Sequence, residues 1–373
     1  MLIGIDASRA VTVQRTGTEN YSLHLIRALI REGYAHSFRL YFNHPPPEGL
    51  FPQDQRVSWR VIPFPRLWTH LRLAWEVASH PPDVLFVPAH VLPLLHPKRC
   101  VVTVHDLGYL HYPEAHPRWA RWYLRWSTRF NARVAKRVIV DSQATADDLV
   151  SYCDVSRGKI VLAYPAGTDG LAPVRDPGVL EAVQRRYGTG ASYFLHVGTL
   201  QPRKNLATLI RAFASLVSSR AIANDVRLVL AGKLGWLYKE VLELARDVAL
   251  EDRVVFTGYV AGQDLPPLLS GALAYVLPSW YEGFGLPVLE AMSCDTPVIC
   301  SNVSSLPEVA GDAALLFDPA DASALAQAMM RVYSDVSLRQ DLLAHGRERV
   351  RAFSWQHCAG QVLAAIEAVG RGE

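Results

Sequence analysis

The chain reads as an α/β protein with two parallel-sheet units, and three observations predict this. Short apolar runs alternate with longer segments of helical period along all 373 residues, the pattern of βαβ units with helices covering a parallel sheet. The length suits two domains rather than one. A turn-rich stretch, Tyr164–Gly188, carries Pro165, Gly167, Gly170, Pro173, Pro177 and Gly178 and divides the runs into two sets.

The elements follow in order. Strands are predicted at Leu2–Ile5, Arg39–Phe42, Val84–Val87, Val101–Val104 and Arg137–Val140 in the first set. The second set has Tyr193–Val197, Val226–Leu230, Val254–Thr257, Ala274–Leu277 and the run Pro297–Cys300. Helical patterns include Asn20–Glu32, Leu206–Leu216 and the final Trp355–Val369. The expected domains are residues 1–170, joined by a terminal helix 356–373, and residues 171–355, with the linker in Tyr164–Gly188.

Half the residues are hydrophobic and about a fifth charged, as in ordinary globular proteins. No apolar run reaches the ~18 residues of a transmembrane helix. The start, MLIGIDASRA, reads as a strand ending at Asp6 rather than a signal peptide. The five cysteines are odd in number, scattered, and form no C-x-x-C pair. They read as reduced thiols of a cytoplasmic protein, with no metal site implied. Residues 1–170 carry 20 Lys+Arg against 14 Asp+Glu, and the rest 18 against 21. The basic first half suggests an anionic partner, but no nucleic-acid recognition motif accompanies it.

The densest chemistry lies in SWYEGFGLPVLEAMSCDTPVI, where Glu282 and Glu290 stand eight positions apart. The segment reads as strand, glycine loop, helix, strand, with Pro287 in the first helical turn, where a missing N–H costs nothing. Glu282 then lies at the carboxyl end of a strand, where open α/β sheets bind ligands. A helix start behind Gly283 and Gly285 offers N–H groups to a phosphate, and carboxylates accept hydrogen bonds from sugar hydroxyls. Together they suit a ligand with both groups, such as a nucleotide sugar. The plainer reading makes Glu290 a helix-start charge and Glu282 a solvated loop residue.

Other positions add to this. Arg203 and Lys204 precede a helix opening near Asn205 and could neutralise a diphosphate; a solvated basic turn is the alternative. His105 and Asp106 end an apolar run, and a histidine there can donate to a hydroxyl or phosphate, act as a base, or be structural. His90 and His111 are weaker candidates of the same kind. Gly17 and Thr18 lie after the first strand, ahead of the helix at Asn20. Arg118, Arg121, Arg125, Arg129 and Arg133 recur at three- and four-residue spacing beside Trp119, Trp122, Trp126, Phe130 and Val134. That helix either packs its aromatic face in a core or presents both faces to an anionic membrane or lipid-diphosphate.

The run EGFGLPVLEAMSCDTPVI resembles the E-x7-E signature of retaining glycosyltransferases of family 4, bacterial polysaccharide mannosyltransferases among them. HVGTLQPRKNLATLIRAF (His196–Phe213), TVHDLGYLHYPEAHP (from Thr103) and the near-terminal FSW (Phe353–Trp355) agree with that family in order and position. The resemblance implies the GT-B fold: two Rossmann-like doubly wound domains facing across a cleft, with the terminal helix crossing back onto the first. It implies hexosyl transfer, with mannose favoured, from a GDP- or UDP-sugar to a hydroxyl of a glycan or lipid-linked saccharide, without metal or other cofactor. By the same resemblance Glu282 holds sugar hydroxyls beside the backbone of Phe284, Gly285 and Leu286, and Glu290 holds the ribose. Lys204 with Arg203 holds the diphosphate, His105 meets the sugar, and Gly17 approaches donor and acceptor. Many members carry an arginine where Thr199 stands, so Arg203 is expected to supply that charge. A dehydrogenase is disfavoured because Val288 replaces the third glycine of G-x-G-x-x-G. A sugar-nucleotide epimerase and a non-catalytic nucleotide-sugar-binding protein are the alternatives.

Overall fold

A computed structural model describes residues 1–12, 17–64, 66–89, 91–113, 117–167, 170–235, 238–248 and 250–373. His90, one of the histidine candidates, lies outside the described residues. The chain forms two compact units, Met1–Ala166 with Phe353–Glu373, and Gly167–Ala352.

The first unit holds β1 (Leu2–Asp6), α1 (Gly17–Glu32), β2 (Ser37–Phe42), β3 (Val57–Val61), a π-helical turn (Thr69–Leu73) running into α2 (Ala74–Ser79), and β4 (Val84–Val87). It continues with β5 (Cys100–Val104), α3 (Gly108–His111), α4 (Arg118–Val134), β6 (Arg137–Val140), α5 (Gln143–Cys153) and β7 (Ile160–Leu162). Its seven strands run in the order β3-β2-β1-β4-β5-β6-β7, all parallel. The second unit holds α6 (Pro177–Tyr187), β8 (Tyr193–Val197), α7 (Leu206–Ser218), β9 (Arg227–Ala231), α8 (Tyr238–Asp247), β10 (Val254–Gly258) and α9 (Leu265–Ser270). β11 (Ala274–Leu277), α10 (Leu286–Ser293), β12 (Val298–Ser301), α11 (Leu306–Ala310), β13 (Ala314–Phe317), α12 (Ala322–Ser334) and α13 (Val336–Arg351) complete it. Its parallel sheet has the order β10-β9-β8-β11-β12-β13. Each sheet therefore reverses direction beside its first strand, at β1/β4 and at β8/β11, and that reversal is where doubly wound sheets take ligands.

The inner strands are apolar because helices cover both faces. Val84–Val87, Cys100–Val104 and Ala274–Leu277 are buried throughout. β3 is the outer strand of its sheet and largely exposed, so its sequence lacks the apolar run that marks the inner strands. The final helix, α14 (Trp355–Arg371), belongs to the first unit. Ser354 caps it by accepting from the His357 N–H. Trp355 stacks on His24 at 5.5 Å between ring centres, and Glu367 accepts from His36 at 2.7 Å.

Three expectations need correction. The stretch Tyr164–Gly188 is not all linker, since it contains α6. Asp176 accepts from the N–H groups of Gly178 and Val179, Pro177 opens the helix, and Gly188 closes it in the left-handed conformation. These residues punctuate a helix and were read as turn signals. Gly17 and Thr18 are not loop residues but open α1, three positions earlier than predicted, with the Glu19 carboxylate at the positive end of the helix dipole. The aromatic stripe of α4 is core only in its second half: Phe130 and Val134 pack against the core of the first unit, and the first half does not. The buried residues of α4 are Ser127, Thr128, Asn131 and Ala132, whereas Trp119 and Trp122 are 75% and 70% exposed. Asn131 explains the polar face, because its Oδ1 accepts from the buried Leu92 N–H at 3.0 Å.

Candidate active site

Two loops meet at the reversal point of the second sheet. One leaves β8 and passes through Thr199 to a 3-10 turn, Pro202–Lys204. The other leaves β11 and passes through Ser279 and Glu282 to α10. The Trp280 N–H donates to the Arg203 carbonyl at 2.9 Å, tying one backbone to the other. Asn205, left-handed at φ 53°, donates from Nδ2 to the carbonyls of Pro278 and Pro319. Ser305 donates to the carbonyls of Glu282 and Phe284, and the Glu282 N–H donates to Ser304 Oγ. Glu282 is therefore fixed by its own backbone as well as by its side chain.

Glu282 is buried, at 7% exposed. Oε1 accepts from Lys204 Nζ at 2.6 Å and from Ser279 Oγ, and Oε2 accepts from Arg203 Nη1 at 3.1 Å. Arg203 Nη1 also donates to the Tyr281 carbonyl. Lys204 is itself buried, at 8%, so the solvated basic turn does not apply, nor does a solvated loop glutamate. Burial by itself would raise the Glu282 pKa. Lys204, then Arg203, then the hydrogen bonds from Lys204 and Ser279 outweigh it and hold the carboxyl at about 2. Two cations and one carboxylate leave this cluster one net positive charge.

Behind it stands His196, fully buried, donating from Nδ1 to the Val276 carbonyl at 2.9 Å while its Nε2 has no partner. Burial, with Lys204 adding to it, pushes this ring down to about 4, so it is neutral. Sequence reasoning did not single out His196, Ser279, Ser304 or Ser305. Ser279 stands three positions before Glu282, a spacing that offered a signal.

A pH dependence follows. The folded pKa of Glu282 lies below its ordinary 4.5, so its stabilisation is complete above pH 4.5 and lost as pH falls through about 2. His196, also depressed, contributes fully above pH 6.5 and is lost as pH falls through about 4. At ~1.4 kcal/mol per pH unit, each is worth about 3 kcal/mol. Asp6, at the end of β1 in the other unit, is raised by burial to about 6 and acts oppositely, stabilising below pH 3.8 and losing this as pH rises through 6. In thermal melts from pH 7 to 4.5, His196→Asn should lose less stability on acidification than the wild type. Parallel melting curves would contradict a neutral buried ring.

The remaining predicted positions sit as follows. Gly285 precedes α10 at φ 107°, a conformation that favours glycine, and a Cβ there would stand 2.8 Å from Leu306 Cδ2. Leu286 and Pro287 open α10; Glu290 lies in its second turn, half-buried, with Phe284 buried in front. Thr199 is half-buried in the β8 loop. That loop is stitched to the one after β9 by the Leu200 N–H to the Lys233 carbonyl and the Gly235 N–H to the Leu200 carbonyl.

In the first unit, His105 follows β5. Its Nδ1 lies 2.6 Å from Asp141 Oδ2 and its Nε2 2.9 Å from the Pro88 carbonyl, with the Tyr21 ring edge-on at 4.6 Å. Both ring nitrogens face oxygen atoms. Burial would lower the pKa, but the Asp141 carboxylate, with Asp106 and the Pro88 carbonyl, outweighs it and favours the imidazolium. Burial raises the Asp141 carboxyl in turn, so the two groups form one buried pair in which the charged ring is favoured. Its partner Asp141, at the end of β6, was missed. His111 pairs with Asp148 at 2.9 Å on the surface. Among the described residues, no group of three or more His, Cys, Asp and Glu side chains is arranged to hold a metal, and no helix is long and apolar enough to cross a membrane.

Known proteins resemble this chain along its whole length. The family model for glycosyl transferases group 1 matches residues 183–349, and that for Glycosyltransferase Family 4 matches residues 15–166. O-antigen chain mannosyltransferase B of Escherichia coli is 31% identical over 97% of this chain and 99% of its own. Among solved structures, sucrose-phosphate synthase of Thermosynechococcus elongatus superposes with a TM-score of 0.77 at 23% identity, covering all of both chains. HepE of Anabaena, solved with UDP-glucose, superposes with a TM-score of 0.76 at 18% identity over 98% of this chain and 99% of its own. Both sheets, the cluster at the β8/β11 reversal and a relative matched end to end lead to one conclusion: the chain belongs to the family 4 glycosyltransferases of the GT-B fold.

Proposed function

We propose that this glycosyltransferase moves a hexosyl group, mannose by preference, from a nucleotide sugar to a hydroxyl of a glycan or lipid-linked saccharide, with retention of anomeric configuration. The observation that carries it is the Glu282–Arg203–Lys204 cluster at the reversal point of the second sheet. Its net positive charge suits a diphosphate. Arg203 and Lys204 stabilise the charge that develops on the leaving nucleoside diphosphate, with the α10 N-terminus adding partial positive charge. A protein that supplies this charge itself needs no metal for the purpose, and activity should survive chelation by EDTA. Glu282, ionised and fixed, accepts hydrogen bonds from hydroxyls of the transferred sugar beside the backbone of Phe284, Gly285 and Leu286, while Glu290 takes the ribose. The β8 loop carries Thr199 against the diphosphate. Gly17 and His105 are read as substrate contacts of the first unit. No residue of the cluster is placed as a covalent nucleophile, and same-face substitution assisted by the leaving phosphate fits retention. The mannose preference leans on the name of the Escherichia coli relative. The acceptor reading also makes the chain a peripheral guest of an anionic membrane through residues 118–137.

The test is incubation with labelled GDP-mannose and UDP-glucose. Slow release of nucleoside diphosphate is expected from one of them, and should be abolished in Glu282→Ala. Glu290→Ala should weaken nucleoside diphosphate affinity together with turnover, whereas Glu282→Ala should affect turnover more than affinity. An epimerised sugar, hydride transfer, or an inverted product anomer would overturn the proposal.

A further inference from the structure

We infer that the first unit docks on an anionic bilayer through two elements side by side, α4 and the π-helical turn with α2. The membrane contact itself rests on the reading above; the second element is new. The segment Leu67–Trp75 carries no sequence pattern that sets it apart, yet it presents a row of large apolar side chains to solvent. Leu67, Leu71 and Trp75 follow one another at four-residue spacing and are 68%, 50% and 65% exposed. Core residues hold the segment from beneath: Trp68 donates from Nε1 to the Ile62 carbonyl, and Leu73 and Val77 are fully buried. Leu67 keeps φ at 55°, a conformation unfavourable for a bulky residue. Backbone strain and π-helical turns concentrate where a protein has a use for them.

His70 joins this row to α4. Its Nε2 lies 3.3 Å from the Tyr123 hydroxyl, and its ring lies 6.5 Å from that of Trp126. Trp119 and Trp122 stand exposed on the same helix. The two elements thus set exposed indole rings on neighbouring ridges. Arg66 and Arg72 flank the first ridge, and the arginine series of α4 flanks the second. Tryptophan is the residue of the bilayer interface, and helices that lie in that interface pair such rings with basic residues.

Charge selects the occupant. Residues 117–137 hold seven Lys+Arg and no Asp or Glu. A second copy of the chain, paired about a two-fold axis, would set this surface against itself, and like charges would oppose it. An anionic bilayer attracts it, each basic residue near the surface contributing about a fivefold gain in partitioning.

The experiment is sedimentation of the full chain with vesicles of phosphatidylcholine and phosphatidylglycerol, and with phosphatidylcholine alone. The wild type should pellet with the anionic vesicles, less so at high salt, and stay in solution with the neutral ones. Arg121→Glu with Arg125→Glu should lower partitioning more than a hundredfold. Leu71→Ser with Trp75→Ser should lower it at least tenfold while leaving its salt dependence unchanged. Donor turnover in solution should be unchanged in both variants, which keeps this result separate from the transferase chemistry. If only the α4 variant loses binding, the second element is refuted and the simpler membrane contact stands. If the wild type binds no vesicles, both fail. If light scattering shows a dimer that the Leu71→Ser/Trp75→Ser variant dissociates, the surface belongs to a second copy and the inference is wrong.

Discussion

Lys204→Ala should lower turnover about 10²–10³-fold, the usual loss when one preorganised charge at a transition state is removed. It should also destabilise the second unit. Lys204 Nζ is the nearest cation to a buried carboxylate, at 2.6 Å. Removing one partner of a buried pair costs about 3–5 kcal/mol because the other charge is left uncompensated. Arg203 still contacts Oε2 at 3.1 Å, so the cost should fall at the low end. Glu282→Gln removes the charge but keeps the shape. Combined with Lys204→Met, it should show a coupling of about 0.5–3 kcal/mol in a double-mutant cycle, as expected for residues in one network. Denaturant unfolding gives the stabilities, and nucleoside diphosphate release gives the rates. Additive losses in the cycle, or wild-type turnover in Lys204→Ala, would show that the pair is not one functional unit. Glu282→Gln should further flatten the acid limb of the stability profile below pH 4.5.

Gly232→Ala is the second large expected effect. Gly232 follows β9 at φ 141°, and a Cβ there would stand 1.9 Å from the Gly198 carbonyl oxygen and 2.6 Å from its carbon. The obstacle is backbone, so no side chain can turn away to relieve it. Gly198 itself leads out of β8 toward Thr199 and the basic turn, and its N–H donates to the Ala231 carbonyl. Separating these two backbones would shift the β8 loop that carries Arg203 and Lys204. We expect a loss of more than about 3 kcal/mol, in the range reserved for core damage and special backbone positions. Gly258→Ala supplies the contrast, because Gly258 has φ 69° and nothing within 4 Å of an added Cβ. Its cost should be only the ~1–2 kcal/mol of left-handed backbone. Equal losses in the two variants would mean that conformation, and not the close approach to Gly198, sets the requirement at Gly232.

How much of this was legible beforehand depended on the range of the physics. Strands buried on both faces, such as Val84–Val87 and Ala274–Leu277, announce themselves as apolar runs, because their burial leaves little choice of side chain. The outer strand β3 carries no such constraint and passed unnoticed. Helix α6 was hidden by its own punctuation: Asp176, Pro177 and Gly188 are turn formers in one register and caps in another. In α4 the sequence showed an amphipathic helix but not which face is inward. The core took Ser127, Thr128 and Asn131, and left the tryptophans outside.

At the site, the sequence by itself determined the candidates, because a glycine loop, a helix start and adjacent cations are local patterns. Glu282, Glu290, Arg203 and Lys204 were all visible in this way, as was His105 at the end of its strand. Only the tertiary structure decided how they are joined. It set Lys204 and Arg203 on Glu282 across 78 and 79 residues of chain, and Asp141 on His105 across 36. It also turned an apparently solvated basic turn into a buried ion cluster with a depressed carboxyl pKa. Burial and pairing are properties of neighbours in space. The order of strands in a sheet decides which strand ends become neighbours, and no local pattern of residues carries that order.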